Sequence, residues 1–217
     1  MFLDNFHQHK DKEIYVFSLL ILFSVFMRIP AIFLLGDKGL TNEWLILVNN
    51  LVNHGTFAFT YHDENLAKFL FPNLYMPPLY AYYLYFFSFF NLGGENYILI
   101  ILLSHVVLSS ISVAIFYKIN KIFFSRKISF YSSLLYSLFP LHLYACSQIS
   151  SISLQTFLTV LFFYLFFELI DKKNSKFIFF ISFVGGLLIL LRQEFVAVLA
   201  FSLLYAFIFY KISIKKI

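Results

Sequence analysis

The sequence predicts an all-α integral membrane protein that crosses the bilayer several times. Of its 217 residues 61% are hydrophobic and only 12% charged, more apolar surface than a soluble domain of this size can hide. The apolar residues also come in runs of about 20, the length of helix that crosses a bilayer. Finally, nearly all the charges lie between these runs and segregate by sign. The single cysteine, Cys146, excludes an internal disulfide and a cysteine metal cluster. No basic run is long enough to point to nucleic acid.

Residues 14–35 form the first run. It is too long for a signal-peptide core and lacks a small-residue cleavage site, so it reads as an uncleaved span. Arg28 lies inside it, about 12 Å from its outer end at the helical rise. An arginine at that depth faces a partner or a wet cavity, or else snorkels to the surface. Four further spans follow at 97–117, 128–147, 152–170 and 177–191, and a sixth at 195–210. The last two are shorter than a bilayer core. They meet at Arg192-Gln193-Glu194, a hairpin tip expected at lipid headgroup depth. An arginine there presents a planar fork of donors suited to phosphate; the plainer reading is an Arg192–Glu194 pair. His105 reads as an interhelical hydrogen-bonding group. Gly185-Gly186 reads as a close helix contact, and Pro140 as a kink in the span 128–147.

Residues 78–92 are apolar and aromatic but short. The positive-inside rule decides how to treat them. If they dip into the membrane or lie on it, 12 of the 16 Lys and Arg residues fall on one side, with both termini. The other side then holds six acids (Asp37, Glu43, Asp63, Glu64, Glu95 and Glu194) against Lys38, Lys68 and Arg192. The expectation is therefore six spans in a single transmembrane domain, with both termini cytoplasmic and a large outer loop from about 36 to 96.

That loop carries the polar chemistry. Residues 41–53 read as an amphipathic helix with Trp44, Leu47, Val48 and Leu51 on one face. Thr41 is placed to cap it and Gly55 to end it, and its apolar face is expected in the membrane interface. Glu43 falls in the first turn, where the helix dipole favours a carboxylate. His62 beside Asp63 and Glu64 is not a diagnostic metal pattern; no cofactor is implied, and a divalent metal is left open. Pro77-Pro78 sets an extended entry, and Pro78 can open a helix.

Taken in order, these features resemble the GT-C glycosyltransferases, in particular the branch of protein O-mannosyltransferases and the lipid A aminoarabinose transferase. Arg28 in the first span precedes Thr41-Asn42-Glu43-Trp44 and the helix ending near Gly55. Met76-Pro77-Pro78-Leu79-Tyr80, Asn91-Leu92-Gly93-Gly94, Leu138-Phe139-Pro140 and Gly185-Gly186 to Arg192 follow. The resemblance implies transfer of a sugar from a polyprenyl-phosphate carrier to a lipid, glycan or protein acceptor outside the cytoplasm, with inversion. It implies a loop carboxylate as general base, Glu43 or Asp37, because the family's usual aspartate position is Asn42, an amide. It implies substrate contacts from Arg192, Arg28, Asn42 and Tyr80. Some relatives carry lysine where this chain has Met76, which removes one phosphate contact. Family members are longer, so the chain is expected to be the N-terminal part of such an enzyme, a fragment, or half of a split one. The competing readings are a transporter or lipid flippase and a non-catalytic membrane partner. The Phe, Ile, Asn and Lys bias points to a bacterial plasma membrane.

Overall fold

The computed structural model describes residues 2–59, 76–90, 93–172 and 176–210. Among them every regular element is helical: α1 (Phe2–Leu35), α2 (Asn42–His54), α3 (Pro78–Ser88), α4 (Gly94–Phe123), α5 (Arg126–Leu138), α6 (Pro140–Ser147), α7 (Ile152–Lys172), α8 (Lys176–Leu191) and α9 (Phe195–Tyr210). Three stretches are long and apolar enough to cross a membrane alone: 13–35, 94–123 and 152–172. α8 and α9, with 16 residues each, span about 24 Å at the helical rise, short of a ~30 Å hydrocarbon core.

α4 lies at the centre, packed against α1, α5 and α7, with α8 on α7 and α9 on α8. Two ends can be told apart. At one, Lys121 near the end of α4 pairs with Glu13 of α1, so these helices are antiparallel. Lys118 lies there over the rings of Phe17 and Tyr164, and Phe123 meets Phe167 edge-on at 5.0 Å. At the other end the chain leaving α1 is tied to the chain leaving α6. Asp37 N–H donates to Ser147 O at 3.1 Å, and Gln148 Nε2 donates to Leu35 O at 2.8 Å. α2, α3 and the α8–α9 turn gather at this second end. The outward faces of the helices are apolar: Phe26, Leu34, Leu135, Phe179 and Phe201 are each at least 70% exposed. Side chains of that kind on every face suit lipid, and an all-helical fold satisfies the backbone hydrogen bonds that a bilayer cannot.

Several elements depart from the sequence reading. Pro140 does not kink a continuous helix; it ends one and starts another. It has no N–H to donate, Phe139 is extended at φ −63°, ψ 119°, and Pro140 becomes the first residue of α6. α2 has the expected limits, with Gly55 left-handed at φ 65°, a conformation glycine adopts without strain. Thr41 takes the cap position without a side-chain capping bond. The apolar face of α2 is turned to the protein rather than to the membrane interface. Leu47 and Leu51 are buried with Phe57 and Ala81, and Trp44 packs edge-on against Tyr80 at 4.8 Å. α3 begins at Pro78 as expected and lies against α4. Tyr80 reaches His105, Tyr83 reaches Ser104, and Tyr97 Oη donates to Leu84 O. Its first turn is therefore at the level of His105, about 16 Å along α4 from Gly94 at the helical rise. Gly185 supplies the close contact of α8 with α9: a Cβ there would stand 2.8 Å from Leu199 Cδ1.

Candidate active site

The polar groups at the second end are arranged around three cavities, and one short stretch, residues 37–45, borders all of them. The largest, about 530 Å³, is lined by Lys38, Leu40, Leu45, Asn49, Ser88 and Tyr97 among others. The second, about 380 Å³, lies between α1 and α4 and includes Asp37, Lys38, Glu95 and Asn96. The third, about 490 Å³, is formed by Trp44, Met76, Pro77, Ser150, Ser151 and the Arg192–Glu194 turn.

Asp37 owes its position to the residue before it. A Cβ at Gly36 would lie 2.0 Å from Ile32 O, so only glycine lets the chain turn off α1 at this point. Asp37 Oδ2 then accepts a hydrogen bond from Ile149 N–H at 2.7 Å. Ser150, Ser151 and Ile152, next along the same loop, line the Arg192 cavity. Ile149 and Ile152 are three residue steps apart, at most about 10 Å of chain. The loop after α6 thus links the carboxylate to the guanidinium's cavity. α7 starts at Ile152, and its first N–H groups have no partner within the helix, which makes that end favourable to anions.

Arg192 is positioned by the α8–α9 turn, where its N–H donates to Leu188 O at 2.8 Å and its carbonyl accepts from Phe195 N–H at 3.2 Å. Its Nη1 donates to Glu194 Oε1 at 3.3 Å, so the intrahairpin pair is formed while Arg192 still lines the cavity. A backbone hydrogen bond within Glu194, and then the Arg192 guanidinium, hold the Glu194 carboxyl below the usual carboxylate range.

The other sequence candidates are spread differently. Glu43 is half-buried in the first turn of α2, beside Trp44. Asn42 opens α2, and its side chain lies outside those described. Tyr80 is 1% exposed, hydrogen-bonded to His105 Nε2 at 3.2 Å, and stands behind Trp44 rather than in a cavity. Arg28 is fully buried and bonds Ser24, Ser109 and Ser137. The structure therefore brings Asp37, Glu43 and Arg192 to one end and keeps Arg28 in the helix interior. His62, Asp63 and Glu64 lie outside the described residues. Among those described, no group of three His, Cys, Asp or Glu is placed to hold a metal. Sequence reasoning missed the 147–152 loop and Lys38. Ser150-Ser151 before the apolar run of α7 is a helix-start signal that would have found the first; nothing in the sequence marks Lys38.

The described residues gather a carboxylate, a guanidinium and cavities at one end of a helical membrane bundle, and a family match gives the class, a membrane glycosyltransferase of the GT-C kind. Residues 76–217, more than half of the chain, match the family described as dolichyl-phosphate-mannose-protein mannosyltransferase, and the chain belongs to that family. The match includes Tyr80, the 147–152 loop and Arg192, and begins after Arg28, Asp37 and Glu43. No curated protein and no solved structure matches the chain.

Proposed function

We propose that this protein moves a sugar from a polyprenyl-phosphate carrier to a hydroxyl-bearing lipid, glycan or protein acceptor on the extracytoplasmic side of the membrane. The basic end of the bundle, with both termini, is then cytoplasmic, and six helical runs cross the bilayer. The observation that carries the reading is the 147–152 loop, which holds the Asp37 carboxylate and walls the Arg192 cavity.

In this reading the carrier phosphate sits at Arg192 and the start of α7. The acceptor oxygen attacks the anomeric carbon from the face opposite the phosphate. As that bond forms, the bond from carbon to the phosphate oxygen breaks and its electron pair leaves with the phosphate. The acceptor's proton passes to a carboxylate, with inversion at carbon. Asp37 is the first choice of base, because Ile149 N–H fixes one of its oxygens. Glu43, in the same 37–45 stretch, is the second. Arg192 and the α7 amides stabilise the charge growing on the phosphate. The family match favours this chemistry over transport.

Sugar transfer from a polyprenyl-phosphate-linked donor, measured in membranes with acceptor extract, tests the reading. Loss in Asp37→Asn with Glu43→Gln active assigns the base to Asp37. The reverse pattern moves it to Glu43. Full activity in both single variants and in the double variant overturns Asp37 and Glu43 as the base.

A further inference from the structure

Arg28 is a fully buried cation in a membrane-spanning helix. Its partners among the described residues, Ser24, Ser109 and Ser137, include no carboxylate. An uncompensated charge at this depth is costly, so what surrounds it has to carry the compensation.

The donors of Arg28 reach three helices. Nε donates to Ser109 Oγ of α4 at 2.8 Å. Nη1 donates to Ser24 O of α1 at 3.2 Å and to the Ser24 hydroxyl. Nη1 also lies 3.4 Å from both Ser137 O and Ser137 Oγ of α5. Ser137 stands in the last turn of α5, directly before the break at Phe139 and Pro140. Among the described residues no backbone hydrogen bond joins α6 to Ser137 O, and His142 and Leu143 both donate to Phe139 O. Arg28 therefore sits where a helix ends with orphaned carbonyls and a partial negative charge. The remaining titratable groups around it, Tyr136, His142 and Cys146, carry no negative charge at neutral pH in their ordinary states.

We propose that Arg28 is a positioning residue: as the cation at the C-terminal end of α5, it fixes the α5–α6 break and, through α6, the loop that holds Asp37. α6 has eight residues, about 12 Å of rigid helix, and ends at Ser147, whose carbonyl accepts from Asp37 N–H. A tilt of α6 at the break is thus delivered to the carboxylate. The catalytic consequence rests on the reading of Asp37 above; the placement of the loop does not.

Amide hydrogen exchange on the purified, membrane-reconstituted protein separates the two. Arg28→Gln keeps hydrogen-bonding groups and removes the charge. It is expected to speed exchange across residues 141–151 about tenfold or more, the scale of a partly buried helix-end charge, while 94–123 and 152–172 exchange as before. Arg28→Lys keeps the charge without the fork and is expected to fall between. Unchanged exchange at 141–151 overturns the proposal, and so does an equal rise in every helix. If Arg28→Gln does not fold, Ser137→Ala and Ser109→Ala take its place: a rise confined to 141–151 supports the proposal and no rise overturns it. Where transfer is measurable, Arg28→Lys should lower kcat with the donor KM unchanged. A raised donor KM at unchanged kcat would mean that Arg28 acts on the donor instead, and would also overturn it. If transfer is absent throughout while exchange responds as expected, the reading of Asp37 fails and the positioning of the loop stands.

Discussion

The two ends of the helical bundle are built on different principles. At the basic end, long amphipathic side chains cover aromatic rings: Lys118 lies over Phe17 and Tyr164, and Lys172 over Phe177. These contacts join neighbouring helices and leave the ammonium groups near the surface. At the other end the contacts are hydrogen bonds to the backbone of the connecting segments. Ile149 N–H bonds the Asp37 carboxylate, Gln148 bonds Leu35 O, and a cavity opens beside Asp37. One end is sealed by side chains that can move. The other is held by hydrogen bonds that break if the backbone shifts. Such bonds would give the proposed site the fixed geometry it needs, at the end opposite the basic one.

Mutations should expose the difference. The largest effect is expected for Asp37→Asn, which keeps an acceptor oxygen for Ile149 N–H and removes the proposed base. Transfer should fall about 10²–10⁴-fold with little change in thermal stability, read by transfer assay and melting of the reconstituted protein. Arg192→Ala should come next, with a fall of about 10²–10³-fold in kcat. If only the donor KM rises, Arg192 binds the carrier phosphate equally before and during transfer. His105→Leu should weaken the hold of α3 on α4 by removing the partner of a buried hydroxyl, about 1–3 kcal/mol, seen as a lowered melting temperature. Gly185→Leu should disturb the α8–α9 contact at Leu199 by about 1–3 kcal/mol through overpacking. The smallest effect belongs to the basic end. Lys121→Ala removes a pair with Glu13 whose side chains are 29% and 53% exposed, worth under about 1 kcal/mol. A large loss of activity from Lys121→Ala would break the comparison outright.

How much of this was legible in the sequence follows the same division. Local signals were read correctly: Gly55 ends α2, Pro78 opens α3, Gly185 packs closely, and Arg192 pairs with Glu194. Each is decided by residues within a turn or two. The direction of the α2 apolar face was not legible, because helical spacing gives a stripe but not the surface it meets. Both a membrane interface and α3 satisfy Trp44, Leu47 and Leu51 equally well. Nor was the link from Asp37 to Ile149, which are 112 residues apart, since a backbone N–H leaves no mark in a sequence. Arg28 was visible as a buried charge, but its partners Ser109 and Ser137 lie 81 and 109 residues away among many other serines. The effect of Pro140 was visible in place and underestimated in degree.

Cys146 is the only thiol in the chain. It is fully buried, with its Sγ turned to Leu143 O. For water-borne thiol reagents the protein therefore comes with its own blank. A cysteine introduced at Glu95, at the exposed start of α4, can be labelled without first removing the native one. The same substitution at Lys118, from opposite sides of a sealed vesicle, gives a direct reading of which end faces which compartment. The buried native thiol turns the chain into a ready gauge of its own orientation.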